Sequence, residues 1–214
     1  LFFSLKTSYR VFLQDLFLFL TFYIINKKFF HISFIKKIPQ TIFSIFKINT
    51  VPLIFSTILI VAAFFSENNH HYSFTNAFII ALSAAVYEEF FFRGLLINIL
   101  LRKDFSNKLF MPVLLSSLMF GLSHIVNLHF QSLSGTLFQM VNAFALGMML
   151  AAIYLRTGSL LYSTIFHFIL DFSTISIKGI VTVSPNSHTF FGSAIIEFIY
   201  ILTAIILIKN SKSV

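Results

Sequence analysis

Two adjacent carboxylates and an arginine, in Tyr87-Glu88-Glu89-Phe90-Phe91-Phe92-Arg93-Gly94, interrupt an apolar stretch that runs from Thr75 to Leu101. Glu89 and Arg93 stand at i and i+4, so a helix puts them on one face and lets them pair. Glu88 then points about 100° away and has no partner on its own helix. An unpaired carboxylate in a low-dielectric site suits a general base that takes a proton from water. Two more polar groupings lie in apolar runs: His124 in Phe120-Gly121-Leu122-Ser123-His124, and His167 with Asp171 in His167-Phe168-Ile169-Leu170-Asp171. His167 and Asp171 are again i and i+4. The aspartate can fix the tautomer of the imidazole, or both can line one cavity.

The elements that carry these groups are expected to be membrane helices. With 57% hydrophobic and 10% charged residues, the chain departs from soluble globular usage, and its mean hydropathy of +0.91 points the same way. The expected class is all-α, a multipass transmembrane helical bundle, arranged as a single integral membrane domain over 1–214 with its motif-bearing core at about 75–177. Seven runs can span: Val11–Asn26, Thr50–Phe65, Thr75–Leu101, Leu109–Ile125, Gly135–Leu155, Gly158–Ile177 and Thr189–Ile208. Phe29–Phe46, interrupted by Lys36, Lys37 and Pro39, reads as a helix lying in the interface. The chain opens on Leu1 rather than Met, as a trimmed sequence would, and its first apolar run lacks a small-residue cleavage site, so that run is expected to be a retained span.

Lysine and arginine then orient the bundle. Lys27, Lys28, Lys36, Lys37 and Lys47 fall in the first loop, Arg102, Lys103 and Lys108 in the third, Arg156 in the fifth, and Lys209 and Lys212 in the tail. Only Lys6, Arg10 and Lys178 fall on the other side, which predicts an external N-terminus and a cytoplasmic C-terminus. The net charge of +8 is thus a topology signal, and no nucleic-acid partner is expected. The absence of cysteine excludes disulfides, thiolate metal sites and a cysteine nucleophile.

A charge at the bilayer centre costs about 2.5–3.5 kcal/mol on insertion scales, so the glutamate cluster requires pairing or a polar cavity. Counted from the cytoplasmic helix ends, Glu88 and Asp171 lie at about 20 Å, His124 at about 22 Å and His167 at about 14 Å, so three helices bring polar groups to a similar depth. Ala143, Gly147 and Ala151, at intervals of four, would let a neighbouring helix approach closely. Each feature also has a structural reading: Glu89 and Arg93 as a buried pair, either histidine as a hydrogen-bonded packing residue. Glu197, within a span, and Asp15, near a helix end, have no partner that the sequence names. His70, His71 and His188 are expected in external loops, and His31 and His129 near interfaces.

These residues resemble the CPBP family of intramembrane proteases, which includes CAAX prenyl endopeptidases and the bacterial bacteriocin-processing and immunity (Abi) proteins. Glu88-Glu89-xxx-Arg93 is similar to the family's EExxxR, Phe120-xxx-His124 to its FxxxH, and His167-xxx-Asp171 to its HxxxN/D, with Asp in place of Asn. The run from Asn142 to Gly147, continuing from Tyr154 to Leu160, also looks typical. The resemblance implies an intramembrane endopeptidase in which Glu88 activates water, Glu89 assists or holds the charge of the site, and Arg93 positions Glu89. It leaves two roles open for the histidines. A metalloprotease would use His124 and His167 with Glu89 or Asp171 as ligands of Zn²⁺. A metal-free enzyme would keep His167 and Asp171 near the oxyanion, with histidine donors stabilising it. The metal-free chemistry is preferred.

The expected partners are the lipid bilayer and a peptide or membrane-proximal protein substrate. Heavy use of Phe, Ile, Lys and Asn suits an AT-rich bacterium, which favours bacteriocin or peptide processing or self-immunity over prenyl-protein cleavage. A non-catalytic scaffold or immunity protein that binds a partner through the same polar core is the competing reading. A proton-coupled carrier would also want midplane carboxylates, but the chain shows no internal repeat.

Overall fold

The structure is a computed structural model that describes residues 7–35, 40–65, 74–178 and 187–211, with side chains except at 62–65, 178 and 187–189. Lys6, Lys36, Lys37, Pro39, Lys212 and the loop 66–73 with His70 and His71 lie outside the described residues, as do the side chains of Lys178 and His188.

Among the described residues nine α-helices follow one another, α1 (Thr7–Ile25), α2 (Ile42–Ile48), α3 (Thr50–Phe65), α4 (Phe74–Glu89), α5 (Ile97–Leu100), α6 (Phe110–Ser123), α7 (Leu133–Thr157), α8 (Leu160–Lys178) and α9 (Ser187–Lys209), and there is no strand. Wider π turns continue α1 over Asn26–Phe30 and join α4 to α5 over Phe90–Leu96, and a 3₁₀ turn, His124–His129, continues α6. Among the described residues proline falls only where a helix tolerates it. Pro52 and Pro112 sit in the first turns of α3 and α6, whose N–H groups have no intrahelical acceptor. Ser132 caps α7 by accepting a hydrogen bond from the Gly135 N–H at 3.1 Å. Gly158 closes α7 with φ 63°, a left-handed conformation that glycine adopts without a Cβ penalty.

The bundle is a multipass membrane protein. Among the described residues five segments are long and apolar enough to cross a bilayer: Thr7–Phe30, Phe110–His129, Leu133–Thr157, Leu160–Ile177 and Phe190–Lys209; α2 and α3, bent by 66°, count as a sixth if they form one broken span. The expected seven spans included α3 and α4 as plain crossings. Each is only 16 residues of regular helix, and α4 continues to Leu100 only by way of the π turn.

The stretch 29–46 is not one interfacial helix. The Asn26 side chain folds back on Ile32, with Nδ2 donating to the Ile32 carbonyl at 3.2 Å and Oδ1 accepting from the Ile32 N–H at 2.8 Å. His31 between them turns left-handed, with φ 49°. The next helix among the described residues starts at Ile42, where Thr41 Oγ1 accepts from the Ser44 N–H.

Helix α7 is the axis of the core: from Met148 to Leu155 every residue is buried. It packs against α6 and α9, while α4 packs against α1 and α8. The expected small-residue approach occurs at α6. A Cβ on Gly147 would lie 3.1 Å from Phe120 Cδ1 and 3.2 Å from Ser117 Cβ, and one on Gly121 would lie 2.7 Å from the Met140 carbonyl oxygen. Backbones this close leave no room for lipid or a larger side chain, so the α6–α7 seam is a wall that the π turn after α4 meets through Phe92 and Arg93.

Candidate active site

Helix α4 ends at Glu89, and the π turn that follows carries Arg93. The i, i+4 relation survives the change of helix type: Arg93 Nη1 lies 2.8 Å from Glu89 Oε1, and neither side chain is exposed. Arg93 is held from three sides. Its Nη2 donates to the Gly147 carbonyl at 3.3 Å, its guanidinium lies 4.6 Å from the centre of the Phe120 ring and 6.0 Å from that of Phe92, and a Cβ on Gly147 would crowd Nη2 at 3.3 Å. A guanidinium buried among rings and a carbonyl keeps its charge solvated by fixed groups instead of water.

Helix α8 brings the third motif to the same place. His167, only 2% exposed, sets Nδ1 3.0 Å from Glu89 Oε1. Its Nε2 lies 3.3 Å from Asp171 Oδ2, one turn further along α8, and 3.5 Å from Glu88 Oε2 across the helix interface. A proton on either ring nitrogen therefore has a carboxylate acceptor. Glu89 is sealed, whereas the side chains of Glu88 and Asp171 are 23% and 35% exposed, so the open side of the cluster is the Glu88–Asp171 side.

His124 enters differently. It lies at the end of α6, where the helix tightens into a 3₁₀ turn, instead of within a regular span. Its Nδ1 is 2.9 Å from the Phe120 carbonyl. A carbonyl can only accept, so Nδ1 carries the proton in this contact, and in the neutral ring Nε2 is left with its lone pair. The Phe120 ring lies edge-on to both imidazoles, with centroids 5.2 Å from His124 and 5.6 Å from His167. One buried phenylalanine thus touches the groups of all three motifs. The turn after His124 is tied to α7 through Gln139, whose Oε1 accepts from Asn127 Nδ2 at 2.9 Å and from Gln131 Nε2 at 2.6 Å.

Glu88, Glu89, Arg93, His167 and Asp171 therefore form one contiguous cluster, and His124 joins it through Phe120. Asp15 has a partner that the sequence did not name: it is buried on α1 and accepts from Ser83 Oγ of α4 at 2.7 Å. Glu197 lies on α9, outside the cluster. Sequence reasoning also passed over Asn98, a buried amide one turn past Arg93 that binds the π turn. Its only signal was an amide side chain in an apolar run.

The residues proposed as Zn²⁺ ligands do not assemble into a ligand set. Among the described residues no three His, Asp or Glu side chains are placed to hold one ion. His167 directs both nitrogens at carboxylates, one of which, Glu89, is already committed to Arg93.

Fold and cluster together define a membrane-embedded helical bundle with a buried carboxylate–histidine site. The family model for type II CAAX prenyl endopeptidase Rce1-like proteins matches residues 70–173, which include every motif residue above. That stretch belongs to the Rce1-like group of the CPBP family, and the class is that of an intramembrane endopeptidase. No curated protein and no solved structure matches the chain.

Proposed function

We propose that the chain hydrolyses a peptide bond within the bilayer by a glutamate-activated water, with Glu88 as the general base. The observation that carries this reading is the position of Glu88: it is the one carboxylate of the pair that is both partly exposed and within 3.5 Å of His167. The paired Glu89 is buried against Arg93 and has no such access. Glu88 takes one proton from water as the water oxygen bonds to the carbonyl carbon. The carbon–nitrogen bond then breaks, and the same proton passes to the leaving amine.

The remaining roles follow from hydrogen-bond capacity. His124, with Nδ1 donating to the Phe120 carbonyl, offers Nε2 as an acceptor that orients the water. His167, when it carries a proton on each nitrogen, donates to Glu89 through Nδ1 and can donate through Nε2 toward the carbonyl oxygen as charge develops there. Asp171 orients that imidazole, and Arg93 holds Glu89 in place. No step is routed through a metal, because the residues present do not form a ligand set for one.

The substrate in this reading is a peptide or membrane-proximal protein, with bacteriocin or peptide processing, or self-immunity, as the preferred setting on composition. The N-terminus is external and the C-terminus cytoplasmic, and 1–214 act as one membrane domain. The test is cleavage of an internally quenched fluorogenic peptide library by detergent-purified protein, beside Glu88→Gln and with a zinc chelator. Glu88→Gln is expected to lower the rate by about 10²–10⁴-fold, and the chelator to leave it unchanged. Cleavage by Glu88→Gln at the wild-type rate would remove the base, and chelator sensitivity would restore the metal. A wild type that cuts nothing, with Glu88→Gln giving the same cellular phenotype, would favour the scaffold reading instead.

A further inference from the structure

A π turn leaves backbone carbonyls out of the regular i, i−4 pattern, and this one lies directly under the candidate site. Three of its carbonyls accept side-chain donors. Ser116 Oγ of α6 donates to the Phe92 carbonyl at 3.0 Å. Asn98 Nδ2 donates to the Arg93 carbonyl at 2.9 Å and the Gly94 carbonyl at 2.8 Å. The same amide lies 3.0 Å from Tyr154 Oη of α7, which also accepts from the Ile35 N–H at 3.0 Å. Asn98 is 6% exposed and Tyr154 is fully buried.

The segment that reaches Tyr154 also packs on the turn. Phe34 Cζ lies 3.1 Å from where a Cβ on Gly94 would stand, and the Phe34 ring meets the Phe90 ring edge-on at 5.9 Å. Glycine at 94 is what lets the 32–35 segment come this close. Three chain segments, the one after α1, the π turn and α7, are thus joined at a single hydrogen-bonded node made by two side chains that reach the candidate site only through the Arg93 backbone.

We propose that Asn98 and Tyr154 are positioning residues that fix the register of the π turn and, through the Arg93 backbone, the placement of the Glu89–Arg93 pair beneath His167. This rests on the peptidase reading above. Glu89 and Arg93, at i and i+4, share a face in either helix form, but the π turn, with one more residue per loop, sets where Arg93 stands relative to the Gly147 carbonyl of α7 and where its own carbonyl meets Asn98. Asn98 favours the π form because its amide satisfies the carbonyls that this form frees. Tyr154 orients the amide from a helix that cannot move, since it is the core of the bundle.

The experiment is steady-state kinetics on the best-cleaved peptide of the quenched library, for wild type, Glu88→Gln, Tyr154→Phe, Asn98→Leu and the double variant, with a melting temperature for each in detergent. Tyr154→Phe keeps the ring and removes only the hydroxyl oxygen. We expect kcat to fall about tenfold in Tyr154→Phe and more in Asn98→Leu, with KM within about twofold of wild type. The double variant should be no slower than Asn98→Leu alone, because the two residues act through one node. Wild-type kcat in folded Tyr154→Phe, additive losses in the double variant, or kcat losses that simply track melting temperature would each overturn the inference while leaving the peptidase reading in place. A wild type that cleaves nothing overturns both, and unimpaired Glu88→Gln overturns the base assignment but not the positioning role.

Discussion

Glu89 Oε1 and His167 Nδ1 lie 3.0 Å apart although 78 residues separate them in the chain. The same oxygen lies 2.8 Å from Arg93 Nη1, so a single buried atom serves both the ion pair of one helix and the imidazole of another. Glu89 is therefore the junction at which α4 and α8 become one site, and Glu88 is the member of the pair left to face outward.

Glu89→Gln should destabilise the protein more than Glu88→Gln. Removing one partner of a buried pair strands the other charge, here a fully buried guanidinium, at a cost of about 3–5 kcal/mol. Glu88→Gln strands no such partner and should cost less than about 1.5 kcal/mol. Unfolding in detergent with added denaturant measures both. Equal losses would mean that Glu89 and Arg93 contribute little as a pair.

Gly147→Ala should cost about 1–3 kcal/mol, because the new methyl would press on Phe120, Ser117 and Arg93 Nη2 at 3.1–3.3 Å. Gly192→Ala, with nothing within 4 Å of the added carbon, should be neutral or stabilising by up to about 1 kcal/mol. Melting temperatures of the two variants in the same detergent should move in opposite directions or only the first should move.

Ser83→Ala removes the hydroxyl that donates to Asp15 and leaves a buried carboxylate without that bond between α1 and α4. The expected loss is about 1–3 kcal/mol. Asp15→Asn should recover part of it in the Ser83→Ala background, since the charge is gone. A double-mutant cycle on unfolding free energies reads the coupling, and a coupling near zero would show that the contact is idle.

Orientation can be read directly because the natural chain has no cysteine. His129→Cys and Lys103→Cys place single thiols at exposed positions on opposite sides of α6. A membrane-impermeant maleimide on intact cells should label His129→Cys, and should label Lys103→Cys only after lysis. The reverse pattern would invert the proposed topology.

The membrane class and the identity of the polar residues were legible in the chain itself. Charges within apolar runs have few tolerable explanations, and i, i+4 spacing puts Glu89 with Arg93 and His167 with Asp171 whatever the surrounding fold. Local spacing says nothing of what lies across a helix interface. That Glu89 meets His167, that Asp15 meets Ser83, and that Asn98 meets Tyr154 depend on which helices pack together and in what rotation. Spans read from hydropathy also overlooked backbone irregularity. The π turn that carries Arg93, the 3₁₀ turn at His124 and the break after Phe30 are held by side-chain bonds to backbone groups, one of them from Ser116 on α6, and hydrophobic periodicity does not register them. Sequence determined which groups must be sheltered from lipid, because an unpaired charge there is costly. Tertiary structure decided that His167 lies across both glutamates and that Glu89 is sealed while Glu88 stays partly exposed, because only the packing of α4 against α1 and α8 sets what covers two neighbours of the same chemistry.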